Sequence, residues 1–220
     1  MTFSILAQDL GTGALGGAAA TGALCVGGWV LRGDSRAGMT ASQGAAPSTI
    51  WGEDALEHMR AGQSAAQVVA GVTAADRGRA WRQLSALDRH GGTASHSGDR
   101  NTPWCGAVGE VGLVVSGNLL AGPQVLDALR RGFVDTSGTF AERLLAALRA
   151  ADAAGGDSRG LQSAALLVVS DDAPPLNLRI DWAQDPIAAL QGLYQRSQSG
   201  DYARWLPTVP TRNDPERGHD

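Results

Sequence analysis

Phe3-Ser-Ile-Leu-Ala-Gln-Asp-Leu-Gly-Thr-Gly-Ala-Leu-Gly-Gly-Ala-Ala-Ala20 decides between two folds. It contains Gly11-Thr-Gly-Ala-Leu-Gly16, a literal GxGxxG after an apolar run, with Asp34 roughly twenty residues further on. A dinucleotide site needs a helix straight after the third glycine, so that the helix N-terminus meets the pyrophosphate. Here Gly17, Gly22, Gly27 and Gly28 follow, each costing up to ~1 kcal/mol in a helix interior. The stretch therefore reads as a glycine-rich hairpin, Phe3–Ala7 and Ala14–Ala20 joined through Gly11–Gly13, and the nucleotide reading is rejected.

Outward from that hairpin, Leu24–Leu31 and Ala37–Gln43 read as further strands bounded by Gly or charge. Trp51 opens a helix that stops at Gly62. Ser64, with Gln67 three residues later, forms a capping box for a second helix to about Ala70. Strand alternation returns in Trp81–Leu87 and Gly92–Ser97 around a turn at Asp88–Gly91, and again in Gly109–Ser116 with Val111, Leu113 and Val115 on one face. Helices follow from Pro123 and over Phe140–Ala151, then strands Ser163–Ser170 and Leu176–Asp181, and a helix from Asp185-Pro186 through Tyr194. From Pro207 nothing apolar remains to bury, so 207–220 is expected to be a flexible tail on a single domain of residues 1–206. Antiparallel strands alternating with paired helices predict an α+β fold.

Composition narrows the chemistry. All 18 residues of the combined lysine and arginine count are arginine. Without lysine there is no P-loop cation, no Schiff base for pyridoxal phosphate and no kinase strand lysine. A net charge of −4 with scattered arginines excludes a nucleic-acid footprint. The glycine-broken stretch Ala14–Leu31 fits neither a signal peptide nor a membrane span, so a cytoplasmic protein is expected, with no membrane partner. Cys25 and Cys105 lack metal spacing and read as small buried hydrophobes, and His58, His90, His96 and His219 lack ligand spacing, so neither metal nor cofactor is expected.

Ser95-His96-Ser97 with Asp99 suggests a triad, but neighbouring strand residues point to opposite faces and cannot converge. Thr2 is a stronger chemical candidate. It follows a removable Met1, and a free α-amine on the same residue as the hydroxyl can take the hydroxyl proton without any lysine. Ser116-Gly-Asn118 ends an apolar strand where Asn118 could donate to an oxyanion. Asp157, Arg159, Gln162 and Ser163 crowd the mouth of another, where they could orient a catalytic hydroxyl or a substrate carboxylate; loop ion pairing and strand capping are the alternative there.

The segments Met1–Asp9, Ala37–Gln43, Trp51-Gly52, Ala94–Gly98, Pro103–Gly106, Ser116–Gly122, Ala141–Leu148 and Gly155–Leu166 together resemble the domain-of-unknown-function 1028 family, similar in fold to the N-terminal nucleophile (Ntn) hydrolases. The likeness runs over residues 1–196. It implies a four-layer αββα sandwich in which Thr2 holds the nucleophile's place; with the two polar strand-end clusters, that makes a hydrolase of a small amide or peptide-like compound the expected function. Asn118 would then serve as oxyanion donor, with Asp157, Arg159 and Ser163 positioning Thr2 or a carboxylate, and Gln43, Ser116 and Gln162 lining the substrate site. Better-known Ntn hydrolases keep a lysine beside the nucleophile, and this chain departs from them there. A homo-oligomer is expected from the paired, small-residue faces of such sandwiches. The rival expectation is a non-catalytic binding or assembly protein on the same fold, and a third is an enzyme built around His96 and Asp99.

Overall fold

The computed structural model describes residues 2–156 and 160–218. In chain order the strands are β1 (Thr2–Gln8), β2 (Leu15–Thr21), β3 (Leu31–Asp34), β4 (Gly38–Gly44), β5 (Arg82–Asp88), β6 (Thr93–Ser97), β7 (Cys105–Glu110), β8 (Leu113–Asn118), β9 (Ser163–Val169) and β10 (Leu176–Ile180). The helices are α1 (Val26–Trp29), α2 (Thr49–Arg60), α3 (Ala65–Ala74), α4 (Gln124–Val134), α5 (Phe140–Ala153), α6 (Pro186–Ser197) and α7 (Gly200–Trp205). The strands form an antiparallel six-stranded sheet, β10-β9-β2-β1-β8-β7, and a four-stranded one, β3-β4-β5-β6.

Side-chain period sorts the core into three sheets of contact. Phe3, Ile5, Ala7, Val115 and Leu166 on one face of the larger sheet meet Leu126, Leu129, Leu144, Leu148 and Leu190 of α4, α5 and α6. Its opposite face supplies Leu6, Leu15, Val114 and Leu167, which pack on Met39, Ala41 and Leu87 of the smaller sheet. The smaller sheet's other face sets Leu84 and Ala86 against Trp51, Ala55, Met59, Val68 and Val69 of α2 and α3. The result is the four-layer αββα sandwich that the family resemblance implied. Both capping boxes that start these helices, Ser64/Gln67 and Thr139/Glu142, are formed in full.

The opening hairpin is present, turning through Gly13 at φ +73°, with Asp9 N–H donating to Ala14 O at 2.8 Å. Its glycines serve packing. A Cβ on Gly16 would lie 2.7 Å from Phe140 Cε1 and 2.9 Å from Leu144 Cδ1, so α5 lies directly on the bare backbone. Gly16→Val is therefore expected to cost about 1–3 kcal/mol through overpacking. Thermal unfolding would read this as a lowered Tm, and an unchanged Tm would contradict the close approach.

Two expected strands are corrected. Leu24–Leu31 is broken, because Cys25 takes a left-handed conformation at φ 61° and starts the single turn of α1 before β3 begins. Gly109–Ser116 is not one strand either. Gly112, at φ +77°, turns the chain between β7 and β8, and leaves Val111 87% exposed rather than on the buried face. Helix α3 continues to Ala74, past the expected end, and α7 had no sequence signal.

The segment beyond Pro207 carries contacts. Thr211 is buried, Asn213 N–H donates to Asp171 O at 3.1 Å, and Arg212 lies 3.6 Å from carboxylate oxygens of both Asp34 and Asp171. Burial acts against ionising Asp34, but hydrogen bonds from the Arg60 guanidinium (2.7 Å) and Arg36 N–H (2.8 Å), with the charges of Arg60 and Arg212, outweigh it and hold the carboxyl below its ordinary range. A depressed folded-state pKa stabilises above the unfolded value of about 3.9, and that contribution is lost as pH falls through the folded value. Asp34→Asn should accordingly lower Tm at neutral pH, with the difference from wild type shrinking below about pH 4. Unfolding scans from pH 7 to pH 3 check this, and a pH-independent difference would contradict it.

Candidate active site

Because Phe3, Ile5 and Ala7 of β1 face the helices, Thr2, Ser4 and Leu6 face the other sheet. Leu6 sits in the apolar centre, whereas Thr2 and Ser4 come at one end of the sandwich. Strand register carries Thr2 into a polar row. Thr2 is opposite Asn118 on one side and Thr21 on the other, Asn118 is opposite Cys105, and Thr21 is opposite Ser163. Directly opposed residues of antiparallel strands share a face, with Cβ atoms about 4.5–5.5 Å apart. Thr2 Oγ1 lies 3.0 Å from Thr21 Oγ1, and one rung deeper Ser4 Oγ lies 3.0 Å from Ser116 Oγ.

The smaller sheet answers with Gln43 and Gln83, opposed on β4 and β5. Gln43 Nε2 donates to Gln83 Oε1 at 2.7 Å. Gln83 Nε2 lies 2.7 Å from Ser97 Oγ and 2.9 Å from both Gly106 O and Gly117 O, so it ties the two sheets together beside Asn118. An open hollow of about 480 Å³ lies at this end, lined by Thr2, Thr21 and Gln43 with an apolar wall that includes Leu24, Val26, Trp29 and Leu119. No ionisable side chain is among its described lining residues.

Thr2 is 8% exposed. Asn118 is fully buried, and neither its Nδ2 nor its Oδ1 has a hydrogen-bond partner among the described residues; Gln43 Oε1 and Ser85 Oγ share that condition. Each such group carries an uncompensated desolvation cost of about 1–3 kcal/mol. Three of these four atoms belong to Asn118, which is opposite Thr2 in register, and to Gln43, which lines the hollow.

The other sequence candidates support the walls. Ser163 Oγ donates to Ala23 O (2.7 Å) and accepts from Val26 N–H (3.0 Å), which fixes the start of α1. Gln162 Nε2 donates to Gly22 O at 2.8 Å, holding the same loop. Asp157 and Arg159 lie outside the described residues. His96 points away from the seam, its Nε2 3.1 Å from Arg79 O and its ring edge-on to Trp51, while Ser97 points into the seam toward Gln83. His96 and Ser97 thus lie on opposite faces of β6, as strand alternation requires. Burial, and then the nearby Asp99 carboxylate, push the Cys105 thiol above its ordinary pKa, which disfavours the reactive thiolate.

Sequence reasoning missed Thr21, Gln83 and Asn101. Asn101 is fully buried; its Oδ1 accepts from Ala45 N–H at 2.8 Å and its O from Leu119 N–H at 3.4 Å, so it draws two lining segments of the hollow together. For Thr21 the available signal was a polar residue ending the inward-facing series of β2, after Leu15, Gly17 and Ala19. Among the described residues no cluster of three or more His, Cys, Asp or Glu is placed to hold a metal, and no helix is long and apolar enough to cross a membrane.

The αββα sandwich thus carries a hydroxyl residue on the inner face of its first strand, at a hollow with no ionisable side chain among its described lining residues. The chain belongs to the family of unknown function DUF1028, whose model matches residues 2–190. It is similar to a solved structure of that family from Silicibacter pomeroyi, at 54% identity and a TM-score of 0.95, covering 100% of this chain and 96% of the other. It is also similar to eukaryotic HslV from Trypanosoma brucei, at 14% identity and a TM-score of 0.45, covering 76% of this chain and 98% of that one. No curated protein matches.

Proposed function

We propose that this protein is an amide hydrolase in which Thr2, freed of Met1, is both nucleophile and base. The observation that carries the reading is the pairing of a nearly buried Thr2 at the hollow with a fully buried, unpartnered Asn118 carboxamide opposite it in register.

Thr2 Oγ1 attacks the carbonyl carbon of a small amide and passes its proton to the Thr2 α-amine. Asn118 Nδ2 donates to the oxyanion that forms. The tetrahedral intermediate collapses with cleavage of the C–N bond, and the departing amine takes the proton from the α-ammonium. Water then attacks the resulting ester, delivering a proton to the α-amine, and releases the acid and Thr2. The Thr21 hydroxyl at 3.0 Å fixes the Thr2 rotamer. No cation among the described residues stands in for the lysine of related hydrolases. The Thr2 α-amine itself is then the base.

The test is labelling by a β-lactone, in which Thr2 Oγ1 opens the ring, acylates and leaves the probe's alkoxide protonated. An adduct confined to the N-terminal peptide is expected. Its rate should rise with pH as the α-amine, whose ordinary pKa is about 8, loses its proton. An adduct elsewhere, or a rate that does not change with pH through the range where an α-amine titrates, would overturn the reading.

A further inference from the structure

We infer that the hollow selects an uncharged, apolar acyl group, and that α1 with its flanking loop is the specificity wall; the inference rests on the proposed amide chemistry at Thr2.

Two independent features point there. The hollow's lining beyond Thr2, Thr21 and Gln43 is aliphatic or aromatic side chain and glycine backbone, with Val30 and Pro47 completing the wall. A charged substituent entering it would lose water without gaining a counter-charge. The second feature is exposure. Leu24 (53%) and Trp29 (52%) line the hollow, yet stand largely in solvent. Both project from a segment that is otherwise firmly held. Ser163 takes Val26 N–H, Cys25 N–H donates to Asp181 O at 3.0 Å, and Gln162 binds Gly22 O. A rigid segment presenting two large apolar side chains at the lip of a cavity is suited to cover an apolar group that enters it, removing both partners from water. Gln43 Oε1, buried and unpartnered on the same lining, can accept an N–H from the ligand, which restricts the class further to amides carrying a donor, as peptide-like compounds do.

Ser163 and Gln162 therefore act on specificity through the wall. Ser163→Ala should raise KM for apolar amides with a smaller change in kcat, while Ser163→Thr, which retains the hydroxyl, restores it.

The experiment uses three matched amides whose acyl groups carry an isobutyl, a carboxyethyl or an aminobutyl substituent. Their affinity is measured by calorimetry on the full-length Thr2→Ala chain, which needs no nucleophile. The isobutyl amide should bind at least ~10-fold more tightly than either charged one. Leu24→Arg, at an exposed position where folding is not at stake, should weaken the isobutyl amide and reverse the preference toward the carboxyethyl one. Equal affinities, tighter binding of a charged amide, or no binding of any would overturn the inference. The same substituents on β-lactones, reacted with wild type, separate the two levels. Selective binding without any adduct at Thr2 would refute the nucleophile and leave the pocket's selectivity standing. Adducts at Thr2 without preference would do the reverse.

Discussion

Thr2→Ala abolishes the β-lactone adduct and lowers kcat for a cleaved amide by about 10⁴-fold or more, the size of effect seen when a nucleophile is removed from an enzyme that retains its binding groups. Binding survives, because Thr2 supplies one small part of a hollow of about 480 Å³. Thr2→Ser keeps the hydroxyl and the amine and should retain a measurable fraction of activity. Stability changes little in either variant, since what Thr2 donates to or accepts from Thr21 is one hydroxyl contact at 3.0 Å, worth about 1 kcal/mol. Wild-type activity in the Ala variant, on the same amide, would remove Thr2 from the chemistry.

Asn118→Leu separates function from stability. An oxyanion donor lost from a preorganised site costs about 10²–10³-fold in kcat, and KM should move less. Stability should hold or rise, because the variant replaces a fully buried carboxamide that has no partner among the described residues with apolar surface of similar volume. The two signs must appear together. A lower Tm with unchanged kcat would mean that Asn118 serves the fold, through water or otherwise, and not the reaction.

Much of the architecture was open to reading from the chain. The hairpin at Phe3–Ala20, the Ser64/Gln67 capping box and the amphipathic helices follow from local spacing. The misread stretches have physical causes. Leu24–Leu31 is a short apolar run whose period fits strand or helix, and its conformation is set by Ser163, 137 residues further along the chain. Strand β7 contains Gly106 and Gly109 and ends exposed, so it carries neither alternation nor propensity. The site divides in the same way. Thr2 and Asn118 could be picked out locally, one after Met1 and one closing an apolar strand. That they stand side by side is a property of the β1–β8 register, which brings together residues separated by about half of the chain. Gln83 and Asn101 were invisible for a related reason: each is defined by what it reaches across the two sheets or between loops.

The most direct measurement of the central claim is the intact mass and first residue of the protein made in a cell with active methionine removal. A chain that lacks Met1 and begins at Thr2 is the expected result, since only then does the hydroxyl at the hollow share its residue with a free amine. A chain that retains Met1 and still hydrolyses an amide would contradict it.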